Sequence, residues 1–211
     1  MPATPPDRAA ERAAERETDW AGLERDLLRL AGVFGFMLLP WLGANIAIPV
    51  GEYGVPLTLQ TLAVVLAAVC IGPRLGMAAM VGYLTLGACG LPVFSDGGHG
   101  PGVLLGANGG YLLGFVLCQP VIGAFIKRRD GTIRGWGAMI AGMLVGHVVI
   151  FGIGVPWLWA ALRFWVEDPA VTWWSAFYSG CLIFIPFMVV KIGIAVVIGR
   201  VAAPWGSRRF W

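Results

Sequence analysis

Lys191 is the residue with the clearest chemical demand. It lies in the middle of the apolar segment Phe184-Ile-Pro-Phe-Met-Val-Val-Lys191-Ile-Gly193, with no acid within a helical turn. An ionisable group buried in hydrocarbon is costly and usually functional, so this ammonium needs a partner. No other apolar segment carries an internal Asp or Glu. A ligand carboxylate or carbonyl is the expected counter-group. Snorkelling to an interface is the competing reading, weakened by the roughly nine residues to the nearer end of the segment, about 13 Å at 1.5 Å per residue.

Further polar side chains interrupt other apolar segments. Gln60 follows Pro56-Leu-Thr58-Leu, where Thr58 or a neighbour is expected to cap a helix and Gln60 to point inward. Asn108 and Tyr111 sit in Gly106-Ala-Asn-Gly-Gly-Tyr111. A helix broken by Gly-Gly at membrane depth is tolerated only against protein or a cavity, so both residues are expected to line one. Asn45 and Gln119 read as interhelical hydrogen-bonding residues, and His147 as a structural histidine on an apolar face rather than a proton relay. Most of Trp41, Trp157, Trp159, Trp165, Trp173, Trp174 and Trp205 fall at segment ends, as an aromatic belt would. Trp41, near the first loop, is the one that remains a candidate for ligand contact.

Enzyme signatures are absent: no Walker A loop, nucleophile elbow, HExxH or clustered carboxylates. The four cysteines (Cys70, Cys89, Cys118, Cys181) lie in apolar segments without metal-ligand spacing and read as small buried hydrophobes. No metal, cofactor or disulfide framework is implied, and any ATP-driven step would need another subunit.

The elements that must position these residues are membrane helices. Hydrophobic residues make up 58% of 211 positions and charged residues 13%, against roughly 25% charged in a soluble domain. Six apolar stretches, about 27–49, 57–73, 75–94, 102–126, 135–162 and 172–200, approach the roughly 20 residues of a helical crossing. Apart from Arg163 and Lys191, the basic residues fall in the N-terminal tail (Arg8, Arg12, Arg16, Arg25, Arg29), the second loop (Arg74), the fourth loop (Lys127, Arg128, Arg129, Arg134) and the C-terminal tail (Arg200, Arg208, Arg209). The first, third and fifth loops carry Glu52, Asp96 and Glu167/Asp168 instead. That alternation puts both termini in the cytoplasm. It also accounts for the net charge of +3 without nucleic acid.

The expected organisation is a polar cytoplasmic tail (1–26), one all-α membrane domain (27–200) and a basic C-terminal tail (201–211). The first and third loops, Ile48–Pro56 and Ser95–Gly102, are rich in turn formers and read as lids over an externally open cavity. Small residues four apart, Ala31/Gly35 and Gly142/Gly146, serve either internal helix packing or the docking of a partner helix.

A run of motifs points to a known family: Gly43-Ala-Asn-Ile-Ala-Ile-Pro49, Val55-Pro-Leu-Thr-Leu-Gln-Thr-Leu-Ala-Val64, Gly72-Pro-Arg-Leu-Gly76, Tyr83-Leu-Thr-Leu-Gly-Ala-Cys-Gly-Leu-Pro-Val-Phe94 and Gly102-Val-Leu-Leu-Gly-Ala-Asn-Gly-Gly-Tyr-Leu-Leu-Gly-Phe115. Over residues 40–200, and most densely over 55–115, the chain resembles BioY, the biotin-specific S component of energy-coupling factor (ECF) vitamin transporters. The resemblance implies a six-helix S-component fold in a bacterial-type plasma membrane and an outward-facing biotin pocket lined by Lys191, Gln60, Asn108, Tyr83 and Tyr111. It further implies a transmembrane coupling protein and ATPase subunits as partners, with Ala31 and Gly35 on the docking face of the first span. A homo-oligomer is compatible with it.

The chain departs from the family at one position. Similar proteins read Phe-Ile-Pro-Gly-Asp-Leu-Ile-Lys in the last helix, and Met188 stands where their ureido-binding Asp falls. That departure leaves room for a different small carboxylated or heterocyclic ligand. Two further readings are an intramembrane enzyme using His147 for proton transfer and a purely structural membrane partner, the latter giving Lys191 no reason.

Overall fold

The computed structural model describes residues 8–50, 53, 55–128 and 132–211, with side chains from Asp19 onward. Glu52 of the first loop and Arg129 of the fourth lie outside the described residues, as do the side chains of Arg8, Arg12 and Arg16. Among the described residues the regular structure is helical apart from one small hairpin and an isolated bridge between Lys127 and Ile133. Its helices are α1 (Arg8–Ala44), α2 (Gln60–Cys70), α3 (Pro73–Ala88), α4 (Pro101–Leu105), α5 (Gly109–Ile126), α6 (Trp136–Ala160), α7 (Trp173–Gly180) and α8 (Ile185–Arg209).

Among the described residues, four stretches are long and apolar enough to cross a membrane: Asp19–Ala44, Gly109–Ile126, Trp136–Trp165 and Trp173–Arg209. The expected segments 57–73 and 75–94 fold as shorter helices of 11 and 16 residues. Helix α2 sits at the centre of the bundle. Every residue from Ala63 to Val69 is buried, the pattern of a helix covered on all sides. It packs against α1, α3, α5 and α8.

Helix borders and breaks differ in places from the six apolar segments. The borders at 26/27 and 200/201 fall inside α1 and α8, so helical backbone runs through both supposed tail junctions. The turn-rich first loop also holds a small hairpin: β1 (Ala47–Ile48) pairs antiparallel with β2 (Leu57–Thr58), with Ala47 opposite Thr58, a minor addition to an all-α membrane fold. The expected segment 102–126 breaks at 106–108, between α4 and α5. Segment 172–200 also breaks, at Cys181 (φ −137°, ψ −60°), before a 3₁₀ turn at Leu182–Phe184 leads into α8.

Each helix break frees a carbonyl that must be satisfied at depth. Trp157 Nε1 donates to Gly106 O (2.9 Å) at one break, and the Tyr111 hydroxyl donates to Gly180 O (2.9 Å) at the other. Small residues make these contacts sterically feasible. A Cβ on Gly110 would collide with Trp157, and one on Gly154 or Gly180 with Tyr111. The same α5–α6 seam is closed lower down by Gly142 and Gly146, which face Phe125 and Ile122. Glycines there let the two backbones approach, and α5–α6 is the most extensive helix pairing. The Gly142/Gly146 pair therefore serves internal packing. Ala31 and Gly35 are exposed, and a Cβ on Gly35 would meet nothing within 4 Å.

Candidate binding cavity

A cavity opens between the two helix breaks and under the first and third loops. Its atom-free space, counting the open solvent of its mouth, is about 750 Å³. Its walls come from α2 and the strand before it (Thr58, Gln60, Thr61), the α4–α5 region (Val103, Asn108, Tyr111), α6 (His147, Ile150, Phe151) and α8 (Met188, Lys191). Val55 and Pro56 of the first loop and Phe94 and Ser95 of the third complete the lining.

Lys191 is 7% exposed. Its Nζ donates to Thr58 O (2.6 Å) and Thr61 Oγ1 (3.0 Å), both at the start of α2. Among the described residues no carboxylate pairs with it; the one ion pair there is Arg29–Asp26. The ammonium is thus held by neutral oxygens, has a third N–H to offer, and does not snorkel.

Gln60 belongs to a closed network. Its Oε1 accepts from Thr58 Oγ1 (3.0 Å) and Ser95 Oγ (3.2 Å), while its Nε2 donates to Tyr83 OH (2.7 Å). The Tyr83 hydroxyl donates onward to Val93 O (2.9 Å). Thr58 Oγ1 also accepts from the Gln60 backbone N–H (3.3 Å), although the N-cap position of α2 is Leu59 and carries no side-chain capping bond. Tyr83 is fully buried behind Gln60, edge-on to Phe94, and does not line the cavity. It orients Gln60 rather than facing a ligand.

The opposite wall is less satisfied. Asn108 caps the break before α5 in position but makes no capping bond, and its Oδ1 is buried without a partner. His147, 1% exposed, has its Nδ1 against Met143 O (2.9 Å) and no partner at Nε2. Of the sequence-expected site residues, Lys191, Gln60, Asn108 and Tyr111 share the cavity, and Tyr83 stands behind it. His147 was read as a satisfied structural histidine; the structure puts it on the cavity wall with one nitrogen unpartnered. A signal for it existed: His147, Ile150, Phe151 and Gly154 follow the i, i+3, i+4, i+7 spacing of one helix face, and Gly154 abuts Tyr111.

Two other expectations change. Asn45 Nδ2 donates to Trp41 O in its own helix (2.8 Å), so it joins no neighbouring helix. Trp41 is 37% exposed and lies outside the cavity lining. Gln119 does bridge helices, with Nε2 donating to Val64 O of α2 (3.0 Å). Among the described residues no group of His, Cys, Asp and Glu is arranged to hold a metal.

Apolar helices around a mostly apolar cavity with a few convergent polar groups mark a multi-pass membrane protein with a site for a small molecule. The chain belongs to the BioY family, whose pattern matches residues 15–208, and so is a plasma-membrane transporter rather than an enzyme, which removes the intramembrane-enzyme reading of His147. The biotin transporter BioY of Thermotoga maritima is 36% identical over 174 residues, 82% of this chain and 93% of that protein. The biotin transporter BioY of Rhodobacter capsulatus is 32% identical over 187 residues, covering 87% of this chain and 95% of its own length. The crystal structure of the S component for biotin from an ECF-type ABC transporter superposes with a TM-score of 0.74 at 26% identity, covering 84% of this chain and 91% of that one.

Proposed function

We propose that this protein captures biotin from the outer side of the membrane in the cavity beneath its first and third loops. Uptake is then energised by a separate transmembrane coupling protein and ATPases. The observation that carries this reading is the buried Lys191 ammonium, held only by Thr58 O and Thr61 Oγ1 in a cavity it shares with Gln60, Asn108 and Tyr111. Such a cation is suited to a ligand carboxylate or to the ureido carbonyl oxygen. The relatives named for biotin support the choice of ligand. Loop residues Val55, Pro56, Phe94 and Ser95 on the lining support the role of the two loops as a closing lid. The exposed Ala31/Gly35 face of α1 supports docking of the coupling protein there.

Isothermal titration of purified protein with biotin tests the ligand. Saturable binding at micromolar concentration or below is expected; its absence removes biotin while leaving the fold. A second reading, the same fold for another small carboxylated or heterocyclic molecule, rests on Met188, whose thioether lines the cavity and is only a weak acceptor. On that reading Met188→Asp creates or sharpens biotin binding, and an unchanged titration counts against it.

A further inference from the structure

His147 is held at one nitrogen and open at the other. A backbone carbonyl can only accept, so the 2.9 Å contact from Nδ1 to Met143 O places the proton on Nδ1. In the neutral ring that leaves Nε2 with a lone pair on the side away from the α6 backbone. The nitrogen is buried and has no partner, although the residue lines the cavity. Buried acceptors in folded proteins are nearly always satisfied, and an exception calls for a missing partner. No protein donor reaches Nε2: Lys191 Nζ turns to Thr58 O and Thr61 Oγ1, with one N–H left for a ligand, and the Tyr111 hydroxyl donates to Gly180 O. Asn108 Oδ1, on the same cavity, is a second buried acceptor without a donor. The cavity therefore presents one cationic donor and two vacant acceptors, the complement of a ligand with N–H groups as well as an oxygen for Lys191. Met188 adds no strong acceptor to this set.

We propose that His147 is a specificity-determining ligand contact, its Nε2 accepting a hydrogen bond from a ureido N–H of the bound molecule. The inference rests on the cavity being the biotin site. It assigns to α6 a discriminating role that neither Lys191 nor Gln60 performs, since Gln60 Oε1 already accepts from Thr58 and Ser95. His147 would admit a ring bearing an N–H at that position and penalise one in which the nitrogen is alkylated.

The test compares biotin with its ureido N-methylated analogues in wild-type, His147→Leu and His147→Gln proteins. In the wild type, methylation of the nitrogen facing His147 is expected to cost about tenfold in Kd, the scale of one buried hydrogen bond. In His147→Leu, biotin should lose about tenfold and the gap between biotin and that analogue should close. His147→Gln, which keeps an acceptor oxygen, should recover part of the discrimination. A merely structural histidine would weaken both ligands alike and keep the gap, which overturns the inference. A measurement on the unmutated site guards against variants that fail to fold. In ¹⁵N-histidine-labelled protein with His99→Gln as background, biotin should move the His147 Nε2 resonance in the direction of hydrogen-bond acceptance, and a static resonance overturns the proposal. Wild-type protein that binds no biotin overturns the proposed function and this inference together; biotin binding indifferent to His147 overturns the inference alone.

Discussion

The two walls of the cavity are built on opposite principles. On the α2 side, Thr58, Gln60, Ser95, Tyr83 and Val93 close a hydrogen-bond network with distances of 2.7–3.3 Å. On the α5–α6 side, Asn108 Oδ1 and His147 Nε2 are buried with no partner. A closed network fixes geometry before a ligand arrives, whereas an open acceptor gains most when a ligand supplies its donor. Removing one partner of a satisfied pair costs roughly 1–3 kcal/mol in stability; removing an open acceptor costs the fold little and the ligand more. The contrast separates residues that position from residues that recognise.

Breaking the recognising set should have the largest effect on binding. Lys191→Met removes the one cation in the cavity and is expected to raise the biotin Kd on the order of 100-fold, from the roughly 1.5–3 kcal/mol of a hydrogen bond to a charged group. Titration with biotin and its methyl ester in both proteins locates the partner atom. An ester penalty that disappears in Lys191→Met assigns Lys191 to the carboxylate, and one that persists assigns it to the ureido carbonyl. Asn108→Ala should raise Kd about tenfold with little change in melting temperature. A large loss of stability instead would move Asn108 to the positioning set.

Breaking the positioning set should show the converse. Tyr83→Phe strands Gln60 Nε2 and Val93 O, so the melting temperature should fall by about 2–4 °C per kcal/mol lost, with only a few-fold change in Kd. Unchanged melting alongside a tenfold loss of affinity would contradict the assignment of Tyr83 to orientation. The smallest effect on both quantities is expected from Gly35→Leu, since a side chain there enters open space. Uptake by cells carrying the coupling module should nevertheless fall if that face docks the coupling protein; normal uptake would move the docking surface elsewhere.

Much of this site was legible in the chain because apolar segments make polar intruders conspicuous. Lys191 stood out as a charge without a counter-charge, and Gly109-Gly110 announced the break that places Asn108 and Tyr111. The break before α8 was not foreseen, although Gly180 followed by Pro186 carries the signal of a helix ending and restarting. Tyr83 was misplaced for a physical reason. A tyrosine that lines a cavity and one that props a glutamine behind it share the same periodicity, and only the hydrogen bonds from Gln60 and to Val93 O tell them apart. His147 was missed because any helical histidine can satisfy Nδ1 on the carbonyl four residues back, as it does on Met143. The fate of Nε2 is decided by neighbouring helices.

Gly43 has a mechanical consequence. A Cβ there would lie 2.8 Å from Gln60 N and Leu59 C, and its carbonyl accepts the Leu59 N–H at 3.1 Å. The end of α1 is thereby welded to the corner that carries Gln60 and the Thr58 oxygen gripping Lys191. Any side chain at position 43 would have to push this corner away from α1, so one glycine sets the spacing between the outermost helix and the seat of the buried cation.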